Sequence, residues 1–146
     1  MTPVDPVHCN AISQANTLLV EKFASTHSVR VQVPIQAGDH SEPEPDFALI
    51  SKEEGMRLAR ERAYPKTAEL VIELANTSLV YETTVKPFIY ALAQVGQYWV
   101  VDLRGEVAEV FSEVVQDPAS PTGWSYATSA VSSLFLPGAA WLSTTC

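Results

Sequence analysis

The chain has 146 residues, 47% of them hydrophobic and 18% charged, and a formal net charge of −8. That length and apolar content fit one domain with a core of its own. The acidic balance excludes a broad basic face for nonspecific nucleic-acid binding, but leaves room for a local basic groove or for a metal site built from acids. No apolar run is long enough for a membrane-spanning helix, and Met1-Thr-Pro-Val-Asp-Pro lacks the basic and apolar segments of a signal peptide. Cys9 and Cys146 stand near opposite ends without metal spacing. The expectation is a cytoplasmic protein with two reduced thiols and no membrane partner.

Taken in order, two early prolines precede helical periodicity from Val7 to Thr26. Ile12, Ala15, Leu18, Leu19 and Phe23 fall on one side, with Asn16, Glu21 and Lys22 on the other. His8, near the start, reads as a cap or a satisfied structural histidine rather than a catalytic group. Val29, Val31 and Val33 alternate with Arg30 and Gln32 as a half-buried strand stopped by Pro34. A loop from Gln36 to Pro45 leads to Asp46, and Phe47-Ala-Leu-Ile50 is the next strand. Ser51 to Lys66 suits an exposed helix with salt pairs three and four apart, although Gly55 counts against it and Pro65 ends it. Its arginines are the main cationic cluster, and they read as a solvated helix face.

Glu69 to Ala75 is a strand, Asn76-Thr-Ser78 a polar turn, and Glu82 to Val95 a helix. Thr83 or Thr84 would cap that helix, leaving Pro87 in a first turn whose amides lack partners. Tyr98 to Leu103 is a nearly continuous apolar strand. Arg104-Gly105 turns the chain into a hairpin with Val107, Glu109 and Phe111. Asp117 to Gly123 is a loop, Trp124 to Thr128 an edge strand, and Leu136-Pro-Gly138 begins an irregular tail. The layout is α/β (α+β), one mixed sheet flanked by helices.

Glu73 interrupts an apolar strand with a carboxylate, which is costly to bury unless paired, wet or bound to a metal. Its candidate partners are Asp46 and Lys86. If their strands are neighbours, Asp46 and Glu73 converge on one point. Two hard oxygen ligands with room for water suit Mg²⁺, with Mn²⁺ as a substitute. Such an ion activates water and neutralises a phosphate under attack, while Lys86 would stabilise the pentacovalent phosphorus. The plainer alternatives are a surface pair of Lys86 with Glu82 and a strand-entry hydrogen bond from Asp46 after Pro45.

Several segments in order resemble one family. Ser41-Glu-Pro-Glu-Pro-Asp46 with Phe47-Ala-Leu-Ile50 is similar to its "PEPD" strand entry, and Leu70-Val-Ile-Glu73-Leu-Ala-Asn-Thr-Ser78-Leu79 to its "lviEvadtSl" segment. Tyr81 through Lys86 is similar to "Y-D-R-x-x-K", with the lysine in register. Tyr90-Ala91 and Gln97-Tyr98-Trp99-Val-Val-Asp-Leu103 match "YA…eYWvvDl", and Leu136-Pro-Gly138 its closing "fPG". On these residues the chain resembles the Uma-two family, restriction-endonuclease-like proteins of the PD-(D/E)xK nuclease superfamily. The resemblance implies a restriction-endonuclease-like mixed sheet flanked by helices and Mg²⁺-dependent cleavage of DNA phosphodiester bonds. It also implies Asp46 and Glu73 as metal ligands and Asp46, Glu73 and Lys86 as the catalytic set. The superfamily's usual lysine position, two residues after the glutamate, holds Ala75 here, and in this branch the lysine lies on the following helix.

Departures from the pattern are also present. Glu82 and Thr83 replace the family's aspartate and arginine; Gln94 and Gly96 replace its usual Gly and Pro, and Gln97 its glutamate. Met1-Thr-Pro-Val resembles a point well inside family members, beyond a segment carrying an acidic "GE" residue. The expectation is therefore a single domain over 1–146, N-terminally shortened, lacking one site carboxylate and one sheet edge. A homodimer formed through strands follows as an expectation. So does a second reading, a catalytically inactive remnant that serves as a folding or interaction module.

Overall fold

The structure is a computed structural model that describes residues 5–133; Leu136-Pro-Gly138 and Cys146 lie outside them. Asp5 accepts the Val7 amide at 2.9 Å and Pro6 opens α1 (Pro6–Phe23) at a position whose amide has no helical partner. Ala15 and Leu19 are its buried positions, in line with the periodicity. β1 (His27–Val31) begins and ends earlier than the valine alternation predicts. Gln32 takes positive φ just ahead of Pro34, so the extended run stops there.

β2 (Phe47–Ser51) leads directly into α2 (Lys52–Glu61), whose cap is Ser51 accepting the Glu54 amide at 3.1 Å. Gly55 has a packing reason: a Cβ there would come within 3.1 Å of Ser28 on β1. Arg57 is held by Glu54 and Glu61 on the exposed side, so this part of the arginine cluster is a solvated, self-paired face.

β3 (Leu70–Ala75) is followed by two short helices, α3 (Leu79–Thr84) and α4 (Lys86–Leu92), where the sequence predicts a single helix over Glu82–Val95. Pro87 has no amide to offer the carbonyl of Thr83 and its ring crowds that carbonyl, so the helix breaks at Val85. Thr83 and Thr84 are not caps. Their hydroxyls donate back to the carbonyls of Leu79 and Val80, at 2.8 and 2.5 Å. β4 (Gln97–Asp102) and β5 (Val107–Gln116) form the expected hairpin, and β6 (Trp124–Ser133) runs well past Thr128.

The six strands lie in the order β1-β2-β3-β4-β5-β6. All neighbours are antiparallel except β3 and β4, which run parallel because α3 and α4 cross between them. Side-chain alternation divides the core into two layers. On one face Ala15 and Leu19 of α1 pack against Phe47, Ile72, Leu74 and Val101. On the other, Leu58 of α2 and Tyr90 of α4 cover Ala48, Val71, Ala75, Tyr98, Val100 and Phe111. In that second layer the rings of Tyr90, Tyr98, Phe111 and Tyr126 follow one another at centroid distances of 4.7, 5.6 and 6.0 Å. Among the described residues no helix is long and apolar enough to cross a membrane.

Candidate active site

The backbone pairing of β2 with β3 ends at Phe47 opposite Ile72, so the next positions along that register are Asp46 and Glu73. Side chains close the seam where the ladder stops. The Asp46 amide donates to Glu73 Oε1 at 2.9 Å, and the Leu74 amide donates to Asp46 Oδ2 at 2.8 Å. Each acid therefore satisfies a backbone donor on the other's strand, and both are buried, at 7% and 3% exposure. Alternation puts Val71 and Ala75 on the face covered by α4, and Glu73 shares their phase. The strand-entry hydrogen bond considered for Asp46 is real, and it lands on the strand that carries Glu73.

Lys86 opens α4 and turns back to the sheet, its Nζ donating to Glu73 Oε2 at 2.6 Å. The same oxygen accepts the Tyr90 hydroxyl at 2.8 Å. Lys86 also lies 3.4 Å from Glu82 Oε2. This pair sits against the sheet rather than on the surface, since Glu82 is only 7% exposed. Tyr98 anchors Glu82 by donating to its carbonyl at 2.7 Å and to Oε2 at 3.2 Å. From the α1 side, His8 Nε2 sits 3.1 Å from Asp46 Oδ2. The structure thus brings Asp46, Glu73 and Lys86 together at one end of the sheet.

Glu82, Tyr90 and His8 join this group beyond the three residues expected from the sequence. Two signals for Glu82 were present: it precedes Lys86 by one helical turn, and it keeps the acidic character of the family's aspartate. Tyr90 lies one turn after Lys86, within the matching "YA" pair. His8 comes from a distant segment, and nothing local in the sequence ties it to Asp46.

Charge in this cluster is unbalanced. Burial pushes the Glu73 carboxyl up to about 7; Lys86 opposes that shift, while the charges of Glu82 and Asp46 add to it. Glu82 is likewise raised, mainly by burial. Burial works against the Lys86 ammonium, yet Glu73 and Glu82 outweigh it and hold its pKa above the ordinary lysine value. Burial and the neighbouring acids keep the Tyr90 and Tyr98 hydroxyls protonated as donors. Glu73 and Glu82 share the Lys86 ammonium while Asp46 faces His8, and a further cation beside these acids would relieve negative charge.

Carboxylate oxygens are the donors that a hard divalent ion takes, and here both Glu73 oxygens already accept hydrogen bonds within the protein. Among the described residues no three His, Cys, Asp or Glu groups form a ready cage.

The fold is mixed α/β, one six-stranded mixed sheet with helices on both faces. The sequence matches the family Uma2, described as "Putative restriction endonuclease", over residues 1–145, and the chain belongs to that family. A crystal structure of a "putative nuclease belonging to DUF820" from Anabaena variabilis superposes with a TM-score of 0.61 at 14% identity, covering 97% of this chain and 84% of that one. The type IIG restriction endonuclease BpuSI aligns with a TM-score of 0.48 at 18% identity, covering 84% of this chain and 14% of that one. No curated protein matches the sequence.

Proposed function

We propose that the protein is a Mg²⁺-dependent DNA endonuclease, with Mn²⁺ able to substitute, that hydrolyses phosphodiester bonds at the Asp46–Glu73–Lys86 cluster. The observation that carries this reading is a buried strand glutamate bonded to a lysine, joined through the backbone to an aspartate, in a chain of the Uma2 family. Asp46 and Glu73 would hold the ion, which supplies charge neutralisation at a phosphate under attack. Lys86 stays protonated between Glu73 and Glu82. It is placed to orient water for attack and to stabilise negative charge growing on the phosphoryl oxygens. A water oxygen bonds to phosphorus and gives one proton to solvent, the ester P–O bond breaks, and the departing oxygen takes a proton from solvent to leave as a hydroxyl. Tyr90 holds Glu73 in place, and Tyr98 does the same for Glu82.

The test is nicking of supercoiled plasmid by purified protein with millimolar Mg²⁺ or Mn²⁺. Wild type converts plasmid to open circles, and Glu73→Gln, which keeps the side chain's shape, does not. Cleavage that survives Glu73→Gln would remove this site from consideration.

One observation favours the non-catalytic reading: both Glu73 oxygens already hold hydrogen bonds within the protein. Thermal melting separates the two. An ion that binds only the native state must raise the midpoint, so no rise at millimolar Mg²⁺ or Mn²⁺ supports a folded module without metal chemistry.

A further inference from the structure

Helix α3 packs Leu79 against the core but otherwise buries an acid and exposes apolar side chains. Its acid, Glu82, is buried against Tyr98 and Lys86, while Val80, Tyr81 and the adjoining Val85 are 75%, 49% and 42% exposed. An amphipathic surface helix has the opposite pattern. The exposed ring is not remote from the site, because the Lys86 ammonium that bonds Glu73 lies 5.8 Å from the Tyr81 ring centroid. An exposed aromatic face therefore stands beside Lys86, with two further exposed aliphatic residues nearby in sequence.

We propose that this face is a stacking platform for an unpaired nucleobase of the substrate strand, so that the preferred substrate is DNA that is single-stranded or frayed at the cut. The inference rests on the nuclease reading. Every base has a π face that a tyrosine can stack on, whatever the sequence, and a cation beside the ring accounts for the neighbouring phosphate. A paired base inside a duplex hides that face. The chain's charge agrees with this choice of substrate. A duplex presents one phosphate charge per about 1.7 Å of axis and a single strand about half that density. A chain with 9 Lys and Arg against 17 Asp and Glu is therefore repelled less by the single strand. A protein partner fits less well, since three side chains are far short of the roughly 800 Å² per partner of a stable interface.

The test has two arms. Without metal, in EDTA, fluorescence anisotropy follows binding of wild type, Tyr81→Phe and Tyr81→Ala to a labelled single-stranded oligonucleotide and to its blunt duplex. The single strand binds more tightly, Tyr81→Ala weakens it roughly tenfold, and Tyr81→Phe keeps it. The duplex changes little. With Mg²⁺, the same variants cleave the single strand with KM raised and kcat nearly kept in Tyr81→Ala. Val80→Ser, at the most exposed position, repeats the effect more weakly should Tyr81→Ala fail to fold.

Equal single-strand and duplex binding, or single-strand binding indifferent to Tyr81→Ala, overturns the stacking inference even if the wild type cleaves DNA. Tyr81-dependent single-strand binding by a protein that cleaves nothing upholds the platform and sinks the nuclease reading instead. A concentration-dependent dimer that Val80→Ser dissolves overturns the inference in favour of a second copy of the chain.

Discussion

Tyr90 donates its hydroxyl to Glu73 at 2.8 Å, on the oxygen that also takes the Lys86 ammonium. The ring of Tyr90 is fully buried in the layer between α4 and the sheet. The hydroxyl is thus a fixed post that sets where the carboxylate of Glu73 can point, and it ties the site to the hydrophobic core.

Tyr90→Phe should keep the ring packing and lose only this donor. A hydrogen bond to a charged group is worth about 1.5–3 kcal/mol, and urea titration should register a loss at the lower end of that range, because Lys86 and the Asp46 amide still serve Glu73. Cleavage should fall but persist. A variant as stable as wild type would show that Tyr90 does not support Glu73 energetically.

Among the described residues Lys86 is the only lysine or arginine bonded to the buried acids, so removing it strands Glu73 and Glu82 together. Breaking a buried pair by deleting one partner costs about 3–5 kcal/mol. Lys86→Met should unfold at clearly lower denaturant, and it should be stabilised by Mg²⁺ or Mn²⁺ more than wild type, since the ion takes over the missing positive charge. Adding Glu82→Gln should recover part of the loss. Melting with and without metal checks all three expectations, and a Lys86→Met protein as stable as wild type would refute the charge-balance account.

Much of this arrangement can be read from the residues, for physical reasons that differ by element. The strands Phe47–Ile50, Glu69–Ala75 and Tyr98–Leu103 and the helix after Pro6 show because burial imposes a period on local sequence. Glu73 stands out because a carboxylate in an apolar run violates that period. The break at Val85 follows from where the helix starts: from Glu82, Pro87 would fall in a tolerated first turn, but α3 begins at Leu79, so Pro87 falls beyond that turn and interrupts it. The burial of Glu82 was hidden, since it depends on Tyr98 and Lys86 meeting it from separate elements. His8 reaches Asp46 across 38 residues of sequence, a contact made by tertiary folding alone.

Stability in the absence of metal should depend on pH through Glu73. In the folded protein burial raises its pKa to about 7 from an ordinary value of 4.5. Between those values the native state holds a proton that the unfolded chain has lost. This contribution is therefore fully present below the unfolded value and disappears as pH rises through about 7. Glu82, raised in the same direction, adds to it. Lys86 has a raised pKa of its own, so what it contributes is lost only at much higher pH. Urea titrations in EDTA at about pH 5.5 and about pH 8 should show the wild type weaker at the higher pH, by up to about 1.4 kcal/mol per unit crossed. Glu73→Gln should flatten that slope, and an unchanged slope would place the titrating group elsewhere.

Asp46 offers the cleanest separation of structure from metal chemistry. Its Oδ2 accepts the Leu74 amide at 2.8 Å and faces His8 at 3.1 Å. Asparagine keeps a carbonyl oxygen for the Leu74 amide but removes the negative charge, so in EDTA Asp46→Asn should melt within about 1 kcal/mol of wild type. Alanine leaves the Leu74 amide without its acceptor inside the protein, which costs about 1–3 kcal/mol, and Asp46→Ala should melt lower. A cation held jointly by Asp46 and Glu73 depends on both charges. The rise in midpoint that Mn²⁺ gives the wild type should therefore vanish in Asp46→Asn, although its fold is intact. If Asp46→Asn keeps the full metal response, Asp46 is a structural seam residue and the ion, wherever it binds, does not use it.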